Sequence, residues 1–353
     1  MSRNYKRYCR LIIAGNATGY DVSAMRIAFR IKHGTVPQPK QLEARIYNLS
    51  KATAKAIQSL HEIGYVQLDA GYEGNSGTIF KGNLTWVNIG RENPTDTYCD
   101  IFAGDGDAGL NMALVNKTFA AGSTPQDHYN HILDQYGQFG ITKGLVSFVD
   151  LSQPKYPRAV TLVGMATQAL RTLADSKNAL TYVHNGQLHI VDKGHSPQVG
   201  VTVLNSSTGL IGMPVETPEG IKVRALINPN YSVNTRLQIN QSSINRADPV
   251  WAVGTEGQGG MTLDPQWQAR MDALATADGI YRVLYIDWEG DTRGNPWYAD
   301  MTCIGESGSD AFVVASGQIR TPSQAEGPAG STPNVPPGAV PSSPVGGRSP
   351  GPV

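Results

Sequence analysis

Cysteine, charge and long apolar runs are all scarce in this chain, and each scarcity closes a class of function. Cysteine occurs three times, at Cys9, Cys99 and Cys303, far apart and with no CxxC pair. An odd, scattered set indicates neither a disulfide framework nor a thiolate zinc site, and burial as small apolar side chains is the simplest role. Charged residues make up 16% of the 353, well below the roughly 25% of an ordinary soluble domain, so much of the surface is expected to meet other protein. Neither sign dominates, with Lys+Arg and Asp+Glu at 29 each, and no bulk positive field is available to hold a phosphate backbone or an anionic membrane. No apolar run approaches the roughly 20 residues of a membrane helix. After the basic start, Leu11-Ile12-Ile13-Ala14 is too short for a signal-peptide core. The expected setting is a reducing cytoplasm until the protein is assembled into something larger.

What is present reads as two β regions around a mixed one. At 353 residues the chain exceeds one compact core, so more than one packed unit is expected. In Val22 to Lys32, Ile27, Phe29 and Ile31 alternate with Arg26, Arg30 and Lys32, the period-2 pattern of a half-buried strand. Further strands are expected at 43–48, 65–70, 78–87 and 96–103. Between them Ser50 opens a helix that Ala52, Ala54, Ala56, Ile57 and Leu60 propagate and Gly64 stops. Short strands around one helix describe a small barrel or sandwich. From 110 to about 204 the period changes: helices are expected at 110–115, from Ser123-Thr124-Pro125-Gln126-Asp127 onward, and over 160–175. Asn185-Gly186 between two alternating runs marks a tight hairpin. From about 205 to 320 the β pattern returns, with runs at 221–227, 236–239, 281–288 and 297–304. Ala44-Arg45-Ile46-Tyr47-Asn48 resembles Val223-Arg224-Ala225-Leu226-Ile227-Asn228, which points to two copies of one barrel type around an insertion. Residues 321–353 hold nine prolines and six glycines and almost no large apolar residue, a composition that reads as an extended or disordered tail. The units are thus placed at 1–105 (first β domain), 106–204 (α+β middle region), 205–320 (second β domain) and 321–353 (tail).

Few motifs promise chemistry. Gly104-Asp105-Gly106-Asp107-Ala108-Gly109 is a literal GxGxxG between an expected strand and an expected helix, the setting of a dinucleotide site. Asp105 and Asp107 would oppose a pyrophosphate there, and no βαβ series follows, so a glycine-rich interdomain turn is the stronger reading. Calcium at Asp105, Asp107 and Asn111 would lack the twelve-residue loop and its closing Glu. His128 and His131 share a helix face without a third ligand and are expected on a solvated face. His184 and His189 are expected to face one another across the hairpin as a polar pair. Gly254 to Gly260 lacks the Lys-Ser/Thr of a P-loop, and no GxSxG or HExxH occurs. Trp86, Trp251, Trp267, Trp288 and Trp297 could serve a glycan-binding module, but core or interface packing explains them better.

Several segments together resemble a known family. Ile46-Tyr47-Asn48-Leu49-Ser50 before an alanine-rich helix, Val66-Gln67-Leu68-Asp69-Ala70-Gly71-Tyr72 and Ile79-Phe80-Lys81-Gly82 look like the N-terminal barrel of the baseplate hub proteins of contractile-tailed, Mu-like bacteriophages. Gly209-Leu210-Ile211-Gly212-Met213-Pro214, Gly220 to Val223 and Leu226-Ile227-Asn228-Pro229 resemble the start of that family's second barrel, and Asp291-Thr292 with Trp297 fits its last hairpin. The resemblance runs from about residue 8 to 318. It implies a mainly β fold of two tail-tube-like barrels or sandwiches flanking the α+β region, and a structural protein of the virion tail rather than an enzyme. No cofactor, metal or catalytic residue is implied. The resemblance further implies a homotrimer whose six barrels adapt the sixfold tail tube to the threefold central spike. Tail tube protein, central spike protein, tape measure protein and inner baseplate or wedge proteins would be its partners, with DNA only in transit through the channel. A phage-tail-like bacteriocin would use the same hub. The proline-rich tail lies outside the shared pattern, and Pro322, Pro328, Pro333, Pro336 and Pro337 are its candidate partner contacts.

Overall fold

The structure, a computed structural model, describes residues 6–15, 18–35, 39–60, 64–194, 200–217, 220–239, 251–253, 261–263 and 279–305. The first β region holds β1 (Arg7–Ala14), β2 (Gly19–Asp21), β3 (Ile27–Gly34), β4 (Gln41–Tyr47), α1 (Lys51–Gln58), β5 (Tyr65–Tyr72), β6 (Asn75–Arg91) and β7 (Thr97–Gly104). The middle region follows with α2 (Asp107–Met112), β8 (Leu114–Phe119), α3 (Pro125–Gly137), β9 (Thr142–Ser147), β10 (Val160–Met165), α4 (Ala166–Ser176), β11 (Ala179–His184) and β12 (Gln187–Asp192). The last region holds β13 (Val201–Leu204), β14 (Leu210–Thr217), β15 (Gly220–Leu226), β16 (Arg236–Ile239), β17 (Trp251–Val253), β18 (Met261–Leu263), β19 (Ile280–Asp291) and β20 (Trp297–Gly305). No described helix is long and apolar enough to cross a membrane.

Both β regions enter one hydrogen-bonded sheet. Its order is β14-β15-β20-β19-β3-β4-β7-β6-β5-β1-β2, with β16 beside β19 and β13 beside β16. The two regions meet at the antiparallel ladder of β19 with β3, from Tyr285 opposite Gly34 to Asp291 opposite Ala28. The alternation read from the sequence explains which face is inside: Ile27, Phe29 and Ile31 are buried while Arg30 is exposed. One continuous core spans the sheet, from Leu11 and Ile46 to Val223, Trp288 and Cys303.

The two regions repeat one another strand by strand. The order β3-β4-β7-β6-β5-β1 in the first corresponds to β14-β15-β20-β19-β16-β13 in the second, with the same order along the chain. The match extends to irregularities. In the β6–β7 ladder the register shifts between Leu84 and Trp86, and in the β19–β20 ladder it shifts between Val283 and Tyr285. Superposing those ladders equates Trp86 with Tyr285 and Asp100 with Asp300. One departure stands out, since β1 runs antiparallel to β5 whereas β13 runs parallel to β16.

Local chemistry accounts for the elements and for four departures from expectation. Ser50 caps α1 by accepting from the Thr53 amide, and Thr124 with Asp127 forms a capping box on α3 with Pro125 in its first turn. Asn185 and Gly186 take φ of 51° and 76° between β11 and β12, the left-handed pair that a tight hairpin of matching twist needs. Val22–Arg26, expected as strand, is a turn before β3, and α1 ends at Gln58, well short of Gly64. The helix expected at 110–115 is split: α2 ends at Met112 and Leu114 starts β8. The helix expected over 160–175 begins as β10, because Val160, Thr161 and Val163 are β-branched and the run pairs with β8, and only Ala166 onward is helical. These elements close a second core around Tyr129, Ile132, Tyr136, Leu170 and Ile190.

Candidate functional site

The seam between the two β regions is built by side chains as well as by the β3–β19 ladder. Arg7 on β1 donates to the carbonyl oxygens of Asp291 (3.1 Å), Gly294 (2.5 Å) and Asn295 (2.9 Å), clasping the β19–β20 turn from the far end of the sheet. Its guanidinium also lies 5.4 Å from the centre of the Trp297 ring. Trp297 is buried, meets Phe29 edge-on at 5.6 Å, and donates its indole N–H to the Gly71 carbonyl at 3.3 Å. On the outer face Arg26 pairs with Asp291 at 2.7 Å, and Arg30 forks onto Asp287. The hydrogen bonds with Arg26 and with the amides of Arg293 and Gly294 hold the Asp291 carboxyl below its ordinary range against the opposing effect of burial. Thr292 closes the corner, its amide donating to the Ile27 carbonyl and its hydroxyl accepting the Ile27 amide.

Each β region also carries its own copy of one outward-facing cluster. Arg45 on β4 forks onto Asp100 on β7 at 2.7 and 2.9 Å and covers the Tyr98 ring at 4.3 Å. Arg224 on β15 forks onto Asp300 on β20 at 2.7 and 2.8 Å and covers the Tyr298 ring at 4.3 Å. The Arg45 and Arg224 segments are those whose likeness was visible in the sequence. Their partners carry a matching signal, Tyr98-Cys99-Asp100 beside Tyr298-Ala299-Asp300, which sequence reading passed over.

The family-pattern residues sit at corners of this framework. Arg26 stacks over Tyr47 at 4.6 Å. Asn48, at φ 57°, ties strand end to turn by donating to Asp96 and accepting the Thr97 amide, each at 3.0 Å. Leu49 packs on the main core and Tyr72 is buried in it. A Cβ on Gly71 would stand 2.3 Å from the Asn75 oxygen, and one on Gly82 would stand 2.5 Å from the Gly104 oxygen, so only glycine lets those backbones close. The Gly209 carbonyl accepts the Leu226 amide, and Gly212 and Pro214 lie where β14 bulges. Asn228 accepts the Asn230 amide, and Pro229 rests on Gly77 of the other β region. Pro322, Pro328, Pro333, Pro336 and Pro337 lie outside the described residues, as do the Gly254–Gly260 loop, Trp267 and the Trp251 side chain.

The GxGxxG loop is a junction. Asp105 is buried, and its carboxylate accepts the amides of Asn185 (2.5 Å) and Gly186 (2.8 Å), so that it caps the β11–β12 hairpin turn. Ile141 and Val183 fill the space beside Gly106, and Ile141 that beside Gly109, which leaves no cradle for a diphosphate. Asp107 turns instead to Asn111 at 2.9 Å, so the three calcium candidates do not converge. Among the described residues no three His, Cys, Asp or Glu side chains gather as metal ligands.

Beneath the loop lies a buried polar cluster. His33 on β3 stacks on His184 at 5.3 Å, and Tyr182 stacks on His189 at 5.0 Å. Contrary to expectation, His189 stands opposite Tyr182 and only diagonal to His184, because the two-residue turn pairs His184 with Gln187. Burial first, then nearby Lys40, holds His33 and His184 well below the ordinary histidine range. Burial pushes the Lys40 ammonium down to about 8 and the Asp105 carboxyl up, against their mutual attraction. Lys40 lies 5.1 Å from the centre of the Trp288 ring. His128 corrects a second expectation: it is buried and stacked on Tyr156 at 4.7 Å and against Phe119, not solvated, because β8 lies across its helix. Burial raises the Cys9 and Cys303 thiols to about 12, far from a reactive thiolate.

This frame, two repeated β units fused into one sheet, is a fold shared with tail proteins. Its fold is similar to that of the 43 kDa tail protein of prophage MuSo2 from Shewanella oneidensis, at TM-score 0.53 and 9% identity over 86% of this chain and 98% of that one. It is also similar to a tail protein from Neisseria meningitidis MC58, at TM-score 0.52 and 8% identity over 86% and 99%. No curated protein matches the chain by sequence. The family model described as baseplate hub gp41 matches residues 24–248, more than half of the chain, and the protein belongs to that family. It is a baseplate hub protein of a phage-like contractile tail.

Proposed function

We propose that three copies of the chain form a ring of six β units that joins the sixfold tail tube to the threefold central spike and surrounds the channel for tape measure protein and DNA. The units are residues 1–105 and 205–320, with 106–204 as an insertion between them. The observation that carries this reading is the internal repeat. Six strands in one order, the shared register shift and the paired Arg45–Asp100–Tyr98 and Arg224–Asp300–Tyr298 clusters support reading one chain as two pseudo-equivalent ring positions, and repeated head-to-tail contacts close into rings when their rotation closes. Residues 321–353 are assigned a partner contact, carried by Pro322, Pro328, Pro333, Pro336 and Pro337. Native mass measurement of the purified chain, alone and with its tube and spike proteins, tests the reading. A trimer that joins either partner is expected, and a monomer that joins neither overturns it. Deleting residues 321–353 is expected to leave the melting transition unchanged while weakening one of those contacts. A collapsed transition would show that the segment belongs to the core.

A further inference from the structure

Among the described residues the repeat leaves two strand edges open at corresponding positions. In the second unit the edge of β19 opposite β20 is filled along its whole length. β16 takes Ile280 to Arg282, the Val283 amide bonds Thr235, and β3 takes Tyr285 to Asp291. In the first unit the same edge of β6 begins alike, with β5 along Asn75 to Asn83 and the Leu84 amide bonded to Gly64. Beyond that point Trp86 to Arg91 pair with β7 alone among the described residues. No described strand of the first unit holds the place that β3 holds in the second. The counterpart of β3 is β14, and β14 pairs only with β15 among the described residues.

The side chains at these two edges are those of covered strands. Trp288 is 1% exposed under β3, whereas its counterpart Ile89 is 37% exposed. Beside Ile89 a groove of about 300 Å³ runs between α1 and the β6–β7 hairpin, lined by Leu49, Lys51, Ala54, Ile89, Arg91 and Tyr98. On β14, Ile211, Met213 and Val215 are 37%, 61% and 41% exposed, although an apolar strand edge invites pairing with another chain. Where β3 offers Arg30 and Lys32 to the outer face, β14 offers Val215 and Thr217.

We infer that β14 of one copy pairs antiparallel with Trp86–Arg91 of β6 in the next copy, repeating between chains the β3–β19 seam found within each chain. The inference rests on the trimeric ring proposed above and names its contact. The intrachain register carries over through the repeat. Asp287 opposite Lys32 and Glu289 opposite Arg30 become Asn88 opposite Thr217 and Gly90 opposite Val215. Between Ile211 and Val215 the register of β14 shifts, and Met213 in that bulge stands beside the groove of the neighbouring copy. One seam used head to tail yields a closed ring when its rotation closes.

The test is a full-length protein carrying Asn88→Cys and Thr217→Cys. Directly opposed antiparallel residues lie about 4.5–5.5 Å apart at Cα, inside the roughly 4.4–6.8 Å that a disulfide spans. Oxidation is expected to give covalent dimers and trimers and nothing larger. Lys32→Cys with Asp287→Cys is the matched control, expected to close within one chain. The unaltered protein, whose Cys99 and Cys303 are buried and Cys9 half-buried, should give no covalent species. Mass is measured on the same samples before oxidation. A trimer that does not cross-link overturns the strand pairing and leaves the hub reading standing, as it would if another segment or partner lay on β14. A monomer that does not cross-link overturns both, and a ladder extending past three chains overturns ring closure. A second variant, Val215→Lys, is expected to weaken trimer association at least tenfold with an unchanged monomer melting transition; unchanged association would count against the pairing.

Discussion

The two β units share a strand order and differ in what lies along one edge. The seam inside the chain is charged on its outer face, where Arg26 pairs with Asp291 and Arg30 with Asp287. The corresponding edges, open among the described residues, are more apolar, with Ile211, Met213 and Val215 exposed on one and Trp86 and Ile89, next to Arg91, on the other. The difference follows from connectivity. Strands joined in one chain meet at a high effective concentration, and ion pairs suffice to set their register. Strands on separate copies must also offset the entropy of association, which buried apolar area does and exposed ion pairs do not.

The comparison can be sharpened by mutation. Trp288→Ala is expected to destabilise the fold by about 3–5 kcal/mol, the usual cost of removing a large buried aromatic, as measured by chemical denaturation. Ile89→Ala at the corresponding site should change monomer stability by under about 1 kcal/mol and act on association instead. Equal losses from both would erase the distinction between the filled and the open seam. Next, Asp105→Ala leaves the Asn185 and Gly186 amides without their acceptor and Lys40 without its nearest countercharge. A loss of about 2–3 kcal/mol is expected, with little change for Asp107→Ala, whose carboxylate accepts from the exposed Asn111 side chain.

The buried histidines give the seam a pH dependence. His33 and His184 are kept neutral in the fold but protonate below about pH 6.5 in the unfolded chain. The unfolded state therefore binds more protons in that window, so stability is full above about pH 6.5 and falls as pH drops below it. Each contributes up to about 1.4 kcal/mol per pH unit. Asp105, raised by burial, contributes the opposite slope above about pH 4. Thermal unfolding between pH 7 and 5 should steepen as described, and His33→Phe with His184→Phe should flatten it. An unchanged slope would place the titration elsewhere. The smallest effect is a matched one: Arg45→Met and Arg224→Met should each lower stability by about 0.5–1 kcal/mol, as exposed bidentate pairs do. Values that differ by more than about 0.5 kcal/mol would show that the two clusters are not equivalent.

Local features were legible in the sequence wherever a residue type has one strong physical preference. Ser50 as a cap, Pro125 in a first turn, Asn185-Gly186 as a hairpin and the alternation of Ile27, Phe29 and Ile31 all read correctly. β8 and β10 did not, because Leu114–Phe119 and Val160–Met165 become strands only by pairing with each other across more than forty residues. His128 was misplaced for the same reason, since it is buried by Phe119, at the end of a strand that forms by pairing with β10, and by Tyr156 from a loop. The repeat was half visible, in Arg45 and Arg224, and the fusion of both units into one sheet was not. That fusion depends on β3 meeting β19, a contact that no local pattern announces. The Gly104–Gly109 loop read as an interdomain turn, but what holds it, a carboxylate turned onto a hairpin formed eighty residues later, lies beyond any motif.

Backbone amide exchange on the assembled full-length protein tests the central claim most directly, that one seam is used within the chain and again between copies. The account predicts protection at Ile211–Val215 and at Trp86–Arg91 comparable to that of the β3 and β19 amides at the internal seam, and loss of that protection on dilution to monomer. Rapid exchange at both open edges in a sample whose mass is that of a trimer would contradict it.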